Sequence, residues 1–257
     1  MGTDRIETDL EVVAGVTDRG HVHERNEDAM ALGLLPDGTV AAVVCDGVST
    51  SLTPQQASRA AADTALDVLL TSTVPAFERV DDAVLAAASA VAELGRAGDL
   101  HAPSCTLVCA LARPGEITIG WIGDSRAYWL APSHAAEPAR LVTADHSWAA
   151  QMVAAGVLDE AAAMRDPRAH AITRWLGAGG AGSAEVATLR PRSDGALLLC
   201  SDGLWNYLPD AADLAAVALP ELADGGPIMA AEALTALALD AGGRDNVTVV
   251  VIEDPSG

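Results

Sequence analysis

Eight short apolar or alternating runs bounded by turn residues, at 12–17, 29–35, 40–45, 106–112, 117–122, 127–130, 196–200 and 247–252, set the terms for the fold. Each is of strand length. Pro36-Asp37-Gly38 and Arg113-Pro114-Gly115 read as hairpin turns between neighbouring runs, so much of the sheet is expected to be antiparallel. Helical patterns follow at 54–70, with Thr53 as N-cap and Pro54 in the first turn, and at 80–94, 148–155, 210–217 and 228–239. Strands, paired helices, strands again and a late helix before a closing strand form an α+β order that two packed sheets with outer helices would satisfy. Half of the residues are hydrophobic but only 3% are aromatic, so the core must be built from Ala, Val and Leu in close-packed layers. No linker divides the chain, which reads as one domain over 1–257. The least regular stretch, 131–184, is broken by Pro132, Pro138, Pro167 and the glycine run from Gly177 to Gly182; loops of that length usually have a function.

Three aspartates sit at ends of these runs: Asp46 in Val43-Val44-Cys45-Asp46-Gly47, Asp202 in Leu198-Leu199-Cys200-Ser201-Asp202-Gly203, and Asp245 just before the last run. A carboxylate at a strand end is held rigidly while still facing solvent, so three of them converging would make a hard-cation site. Glycine after Asp46 and Asp202 lets the backbone approach a ligand, and its carbonyl can coordinate a cation. Asp37-Gly38 is only a turn. The polar segment from Thr17 to Asp28 lies between two apolar strands, a costly placement unless it faces a wet cleft or binds something.

With 36 acidic against 15 basic residues, the formal charge of −21 argues against nucleic acid and anionic membrane surfaces as partners. Cys45, Cys105, Cys109 and Cys200 lie in apolar runs without zinc-type spacing and read as buried, reduced thiols. The acidic N-terminus lacks a signal region, Ile6 stands where a myristoylation signal would carry Ser or Thr after Met1-Gly2, and no later stretch reads as a membrane span. A cytoplasmic, monomeric protein without membrane anchor or sensor domain is the expectation.

Seven ordered motifs then carry a resemblance: Asn26-Glu27-Asp28, Val44-Cys45-Asp46-Gly47, Gly123-Asp124-Ser125-Arg126, Asp145-His146-Ser147, Ile172-Thr173-Arg174, Leu199-Cys200-Ser201-Asp202-Gly203-Leu204-Trp205 and Arg244-Asp245-Asn246-Val247-Thr248. From about residue 12 to 252 the chain resembles the metal-dependent protein phosphatase family, protein phosphatase 2C, in its compact bacterial form. The resemblance implies a four-layer α/β/β/α sandwich of two central, mostly antiparallel sheets flanked by helices, with a mobile flap at 131–184. It implies a protein serine/threonine phosphatase with two Mn2+ or Mg2+ ions, opposing a Ser/Thr protein kinase. Carried over by position, Asp46 would bridge the two ions, Asp202 and Asp245 would complete the first site, and the Gly47 carbonyl would bind the second. Glu27 and Asp28 would act through bound waters, Asp124 with Asp202 would hold a third, weaker ion, and Asn246 would support the cluster from behind. Two hard ions roughly 3.5–4 Å apart can share a hydroxide, lower its pKa and clamp the phosphoryl oxygens, with no phosphoenzyme needed. Carboxylates, a carbonyl and waters suit Mg2+ or Mn2+ rather than zinc.

The chain departs from the family pattern at two places. The family commonly has a phosphate-binding arginine five positions before the acid matching Asp28, and His23 stands there. Phosphate binding falls either to His23 when protonated or to Arg25, which can clamp a phosphate bidentately. Val48 occupies the position of a histidine that serves some eukaryotic members as general acid, so His23 or a bound water would have to protonate the leaving oxygen, unless the group departs with little help. The alternative reading is a catalytically degenerate phosphatase-fold protein acting as a phosphoprotein- or metal-binding regulatory module. Retention of Asp46, Asp124, Asp202 and Asp245 favours the enzyme.

Overall fold

The computed structural model describes residues 4–95, 101–177, 180 and 183–254; Met1 and Gly2, and Ala178, Gly179, Ala181 and Gly182 of the glycine run, lie outside the described residues. The first half carries β1 (Arg5–Asp9), β2 (Val13–Asp18), β3 (Asp28–Leu34), β4 (Val40–Asp46), α1 (Pro54–Thr71) and α2 (Ala76–Leu94). Next come β5 (Ser104–Cys105), β6 (Leu107–Arg113), β7 (Glu116–Ile122), β8 (Arg126–Leu130), β9 (Arg140–Leu141), α3 (Trp148–Ala154) and α4 (Glu160–Met164). The chain closes with β10 (Leu176–Gly177), β11 (Glu185–Leu189), β12 (Ala196–Cys200), α5 (Asp202–Trp205), α6 (Ala211–Asp240) and β13 (Val247–Glu253).

These strands form a six-stranded sheet, β1-β2-β13-β12-β8-β9, and a five-stranded sheet, β11-β7-β6-β4-β3, with β10 and β5 as a small ribbon. Every pair in the two large sheets is antiparallel. Alternation along each strand explains the layers. In β4, Val43 and Cys45 face α1 and α2, while Ala42 and Val44 face the other sheet. In β13, Val250 and Ile252 join the layer between sheets, while Val249 and Val251 pack with Leu214, Ala231 and Leu234 of α6. Both faces of the central strands are covered, which is why they read as nearly unbroken apolar runs rather than alternating ones. Ala57, Ala61 and Ala65 line the buried stripe of α1, and their short side chains let the helix lie close on the sheet.

The expected four layers are present, with local corrections. Thr53 adopts a left-handed backbone (φ 50°) and its side chain caps nothing, so Pro54 alone marks the start of α1. The two helices expected at 210–217 and 228–239 are present as the two arms of α6, which a non-helical Gly226 beside Pro227 separates. The apolar stretch of α6 reaches membrane-spanning length only by crossing that break. Here one face of it lies on the six-stranded sheet. β1 and β11, both edge strands, were not anticipated.

Candidate metal centre

The topology brings the strand-end acids to one end of the sandwich. Asp28 and Asp46 are cross-strand partners at the open end of the β3–β4 hairpin. β12 runs antiparallel to β13 with Cys200 opposite Val249, so Asp202, which opens α5, and Asp245, which precedes β13, leave neighbouring strands side by side. Asp124 lies in the turn from β7 to β8, and Arg126 of β8 is opposite Cys200. Asp46 at the end of β4 and Asp202 after β12, coming from different sheets, lie close enough for each to feel the other.

Polar side chains fix these positions. The Ser201 and Thr248 hydroxyls both donate to Asp28 Oδ2, each at 2.7 Å. Thr248 Oγ1 lies 2.7 Å from Thr17 Oγ1, which accepts from Asn26 Nδ2 at 2.8 Å, and Ser201 Oγ accepts from the Thr248 N–H at 3.0 Å. Each buried hydroxyl is thus satisfied, and the chain ends on Asp28, joining the two sheets. Buried Asn246 accepts from the Glu27 N–H at 2.7 Å and donates to the Arg19 and Arg25 carbonyls at 2.7 and 3.1 Å. That side chain holds the 19–27 loop over the cluster. The Glu27 carbonyl accepts from Gly47 N–H and Ser58 Oγ, and its carboxylate from Ser49 Oγ at 2.5 Å.

Two glycines allow the close approach. A Cβ on Gly47 would stand 2.7 Å from the carbonyl oxygens of both Glu27 and Pro54, and one on Gly203 would stand 1.9 Å from that of Asn246. Both are positions where only backbone fits.

The electrostatics are those of an anionic cluster. Burial first, then the hydroxyl bonds that oppose it and the charges of Asp202 and Asp245 that reinforce it, leave the Asp28 carboxyl at about 7. Burial, then Asp245, lifts Asp202 to about 6. Burial and neighbouring aspartates push Asp46 and Asp124 well above the usual carboxylate range. Among the described residues, no arginine pairs with Asp28, Asp46, Asp124 or Asp202. Buried carboxylates are expensive unless paired or bound to metal. The Gly47 carbonyl likewise accepts no hydrogen bond among the described residues. Donor chemistry and geometry therefore fit hard divalent cations. Among the described residues no three His, Cys, Asp or Glu side chains form a ready-made ligand group. Mg2+ and Mn2+ do not demand one, because such ions keep several waters and take few carboxylates each.

The two candidate phosphate hands differ in place. His23 Nε2 lies 3.2 Å from Asp245 Oδ1, against the acids themselves. Arg25 is exposed at the cluster's rim, and its guanidinium has no hydrogen-bond or ion-pair partner among the described residues. Asp145 and His146 carry no open ligand position. Arg126 grips Asp145 at 2.9 and 2.7 Å and stacks on Trp205, whose Nε1 donates to the Asp124 carbonyl at 2.9 Å. His146 Nδ1 accepts from the Gly123 N–H, and its Nε2 lies 3.0 Å from Glu185. Arg174 pairs with Glu185, and Arg168 with Asp166. These contacts fasten the irregular stretch beside the cluster. Sequence reasoning missed Ser201, Thr248 and Thr17; their one signal is a hydroxyl residue bordering or interrupting an apolar run.

A two-sheet sandwich presenting buried aspartates and an open carbonyl at one end has the donor set of a centre for hard divalent ions. The profile of the protein phosphatase 2C family matches residues 17–233, and the chain belongs to that family. Asp245 and Asn246 lie beyond the matched stretch, so their placement rests on the geometry above. The serine/threonine phosphatase stp of Listeria innocua is 28% identical over 254 residues, covering 92% of this chain and 93% of that protein. The Mycobacterium tuberculosis serine/threonine phosphatase PstP/Ppp superposes with a TM-score of 0.77 at 28% identity, covering 94% of this chain and 97% of that one. The catalytic domain of PstP in complex with two manganese ions superposes with a TM-score of 0.74 at 28% identity, over 94% and 96%.

Proposed function

We propose that the protein hydrolyses phosphoserine and phosphothreonine in proteins, with Mn2+ or Mg2+ held by the carboxylates at the end of the sandwich. The observation that carries this reading is the gathering of Asp28, Asp46 and Asp202 at one end of the sandwich, where burial and neighbouring aspartates raise all three carboxyls and no arginine among the described residues pairs with them. In this reading Asp46, Asp202, Asp245 and the Gly47 carbonyl would hold the two ions, with Asp46 common to both. Glu27 and Asp28 would act through waters, Asp124 with Asp202 would offer a third position, and Asn246 keeps the 19–27 loop in place. When bound, such ions supply Lewis-acid clamping of phosphoryl oxygens and activation of water. The chain itself does the positioning. Ser201 and Thr248 aim Asp28, and the Gly47 and Gly203 backbones hold the two strand ends together.

Arg25 is the better phosphate hand. Its guanidinium is exposed and has no partner among the described residues, whereas His23 is engaged with Asp245. Arg25→Ala is expected to raise KM for a phosphothreonine peptide about tenfold or more, the scale of a charge-assisted hydrogen-bond pair. His23→Gln should affect KM less. Unchanged activity and affinity in Arg25→Ala would move the role to His23. The same steady-state assay, run on phosphoserine, phosphothreonine and phosphotyrosine peptides, tests the substrate class.

The reading extends to a single catalytic domain acting in the cytoplasm as a monomer and countering a Ser/Thr protein kinase. Four buried free thiols fit a reducing compartment. Two departures, His23 and Val48, are all that favours a degenerate binding module, and no expected acid is missing.

A further inference from the structure

A groove of about 820 Å³ runs from the metal centre along the side of the sandwich. Its inner end is Arg25, Asn26 and Asp28, its floor is β3 from Ala29 to Leu32, and its walls are Ile6 of β1 and Arg59 and Leu66 of α1. β3 is the edge of the five-stranded sheet and pairs only with β4. Among the described residues, the backbone of Ala29 to Leu34 makes no hydrogen bond outside that pairing. A free strand edge is a template for another strand. This edge leads directly to the acids.

We propose that the groove receives the extended backbone of the substrate polypeptide on one side of its phosphorylated residue, added as a strand beside β3. The inference rests on the phosphatase reading above and supplies its mode of substrate docking. Three observations select this occupant. The groove shares Arg25 and Asp28 with the metal centre, so a phosphoresidue at the acids leaves its neighbours at the groove's mouth. The floor offers strand-edge backbone with half-buried Ala31 and Leu32, and Ile6 is 55% exposed, a combination that reads main chain and apolar side chains rather than one fixed motif. A second copy is disfavoured, because two chains of charge −21 repel. At roughly 3.4 Å per residue, the stretch from Asp28 to Leu32 accommodates about five substrate residues.

The test uses the Mn2+-loaded full chain with para-nitrophenyl phosphate and with phosphothreonine peptides whose flanks are lengthened on either side. The expected result is a rise in kcat/KM of about tenfold to a hundredfold with flank length on one side only, levelling off near five residues. N-methylation of alternate flank amides should remove the gain with the unaltered enzyme. Ile6→Asp should cut it about tenfold while leaving para-nitrophenyl phosphate turnover as it was. A flank-independent kcat/KM with normal para-nitrophenyl phosphate turnover overturns the docking and leaves the phosphatase reading standing. No turnover of either substrate overturns both. A dimer in sedimentation that Ile6→Asp dissociates assigns the groove to a second copy and also overturns the proposal.

Discussion

Asp202→Ala is expected to lower kcat/KM for a phosphothreonine peptide at least a thousandfold without loss of the fold. The carboxyl lies among the other acids, accepts from Asn206 Nδ2 at 3.1 Å and is the proposed ligand shared between the first and third ion positions. Metal ions contribute several kcal/mol of charge stabilisation to such transition states, and each 1.36 kcal/mol is tenfold in rate. Folding should respond in the other direction. Burial and Asp245 raise the Asp202 carboxyl to about 6, which marks a carboxylate that the folded state holds at a cost. Thermal denaturation in chelator should therefore show the variant at least as stable as the wild type, while the rise in Tm on adding Mn2+ shrinks. A variant that keeps wild-type turnover removes Asp202 from the site.

Gly203→Ala adds one methyl group and is expected to cost nearly as much activity by a different route. Its Cβ would stand 1.9 Å from the Asn246 carbonyl oxygen and 2.8 Å from the carbonyl carbon, both backbone atoms that cannot swing away. The turn after β12 must move off the turn before β13, separating Asp202 from Asp245. The same shift strains the Trp205 bond to the Asp124 carbonyl. Overpacking of this kind costs about 1–3 kcal/mol, and for a chain of this size roughly 2–4 °C in Tm follows each kcal/mol. Loss of activity should exceed what that destabilisation explains, with kcat falling about a hundredfold at a temperature where the variant is folded. Full activity with an unchanged Tm would mean that this contact has no part in the site.

Burial on both faces is what made most of the fold legible. β4, β6, β12 and β13 are covered by helices on one side and the opposite sheet on the other, so they appear in the sequence as apolar runs. Edge strands lack that signal: β1 reads Arg5-Ile6-Glu7-Thr8-Asp9, polar because one side meets solvent and because a charged edge resists further pairing. The break in α6 was legible as Gly225-Gly226-Pro227, and the two helices expected on either side of it are its two arms. Among site residues, Asp124, Glu27 and Asp28 came with the family resemblance, whereas Asp46, Asp202 and Asp245 announced themselves at the ends of apolar runs, and Gly47 and Gly203 by following two of them. Ser201 and Thr248 did not, because a hydroxyl bordering or interrupting a buried run has many ordinary reasons to be there. The sequence already favoured Arg25 over His23 for its bidentate guanidinium; the 3.2 Å contact of His23 with Asp245 and the exposure of Arg25 separate them further.

Metal dependence tests the central claim most directly. Inorganic phosphate released from a phosphothreonine peptide would be measured for protein stripped with chelator and then supplied with Mn2+, Mg2+ or no metal. The carboxylate cluster predicts no turnover after stripping and recovery with Mn2+ or Mg2+, while turnover that is the same in chelator and in Mn2+ would contradict it.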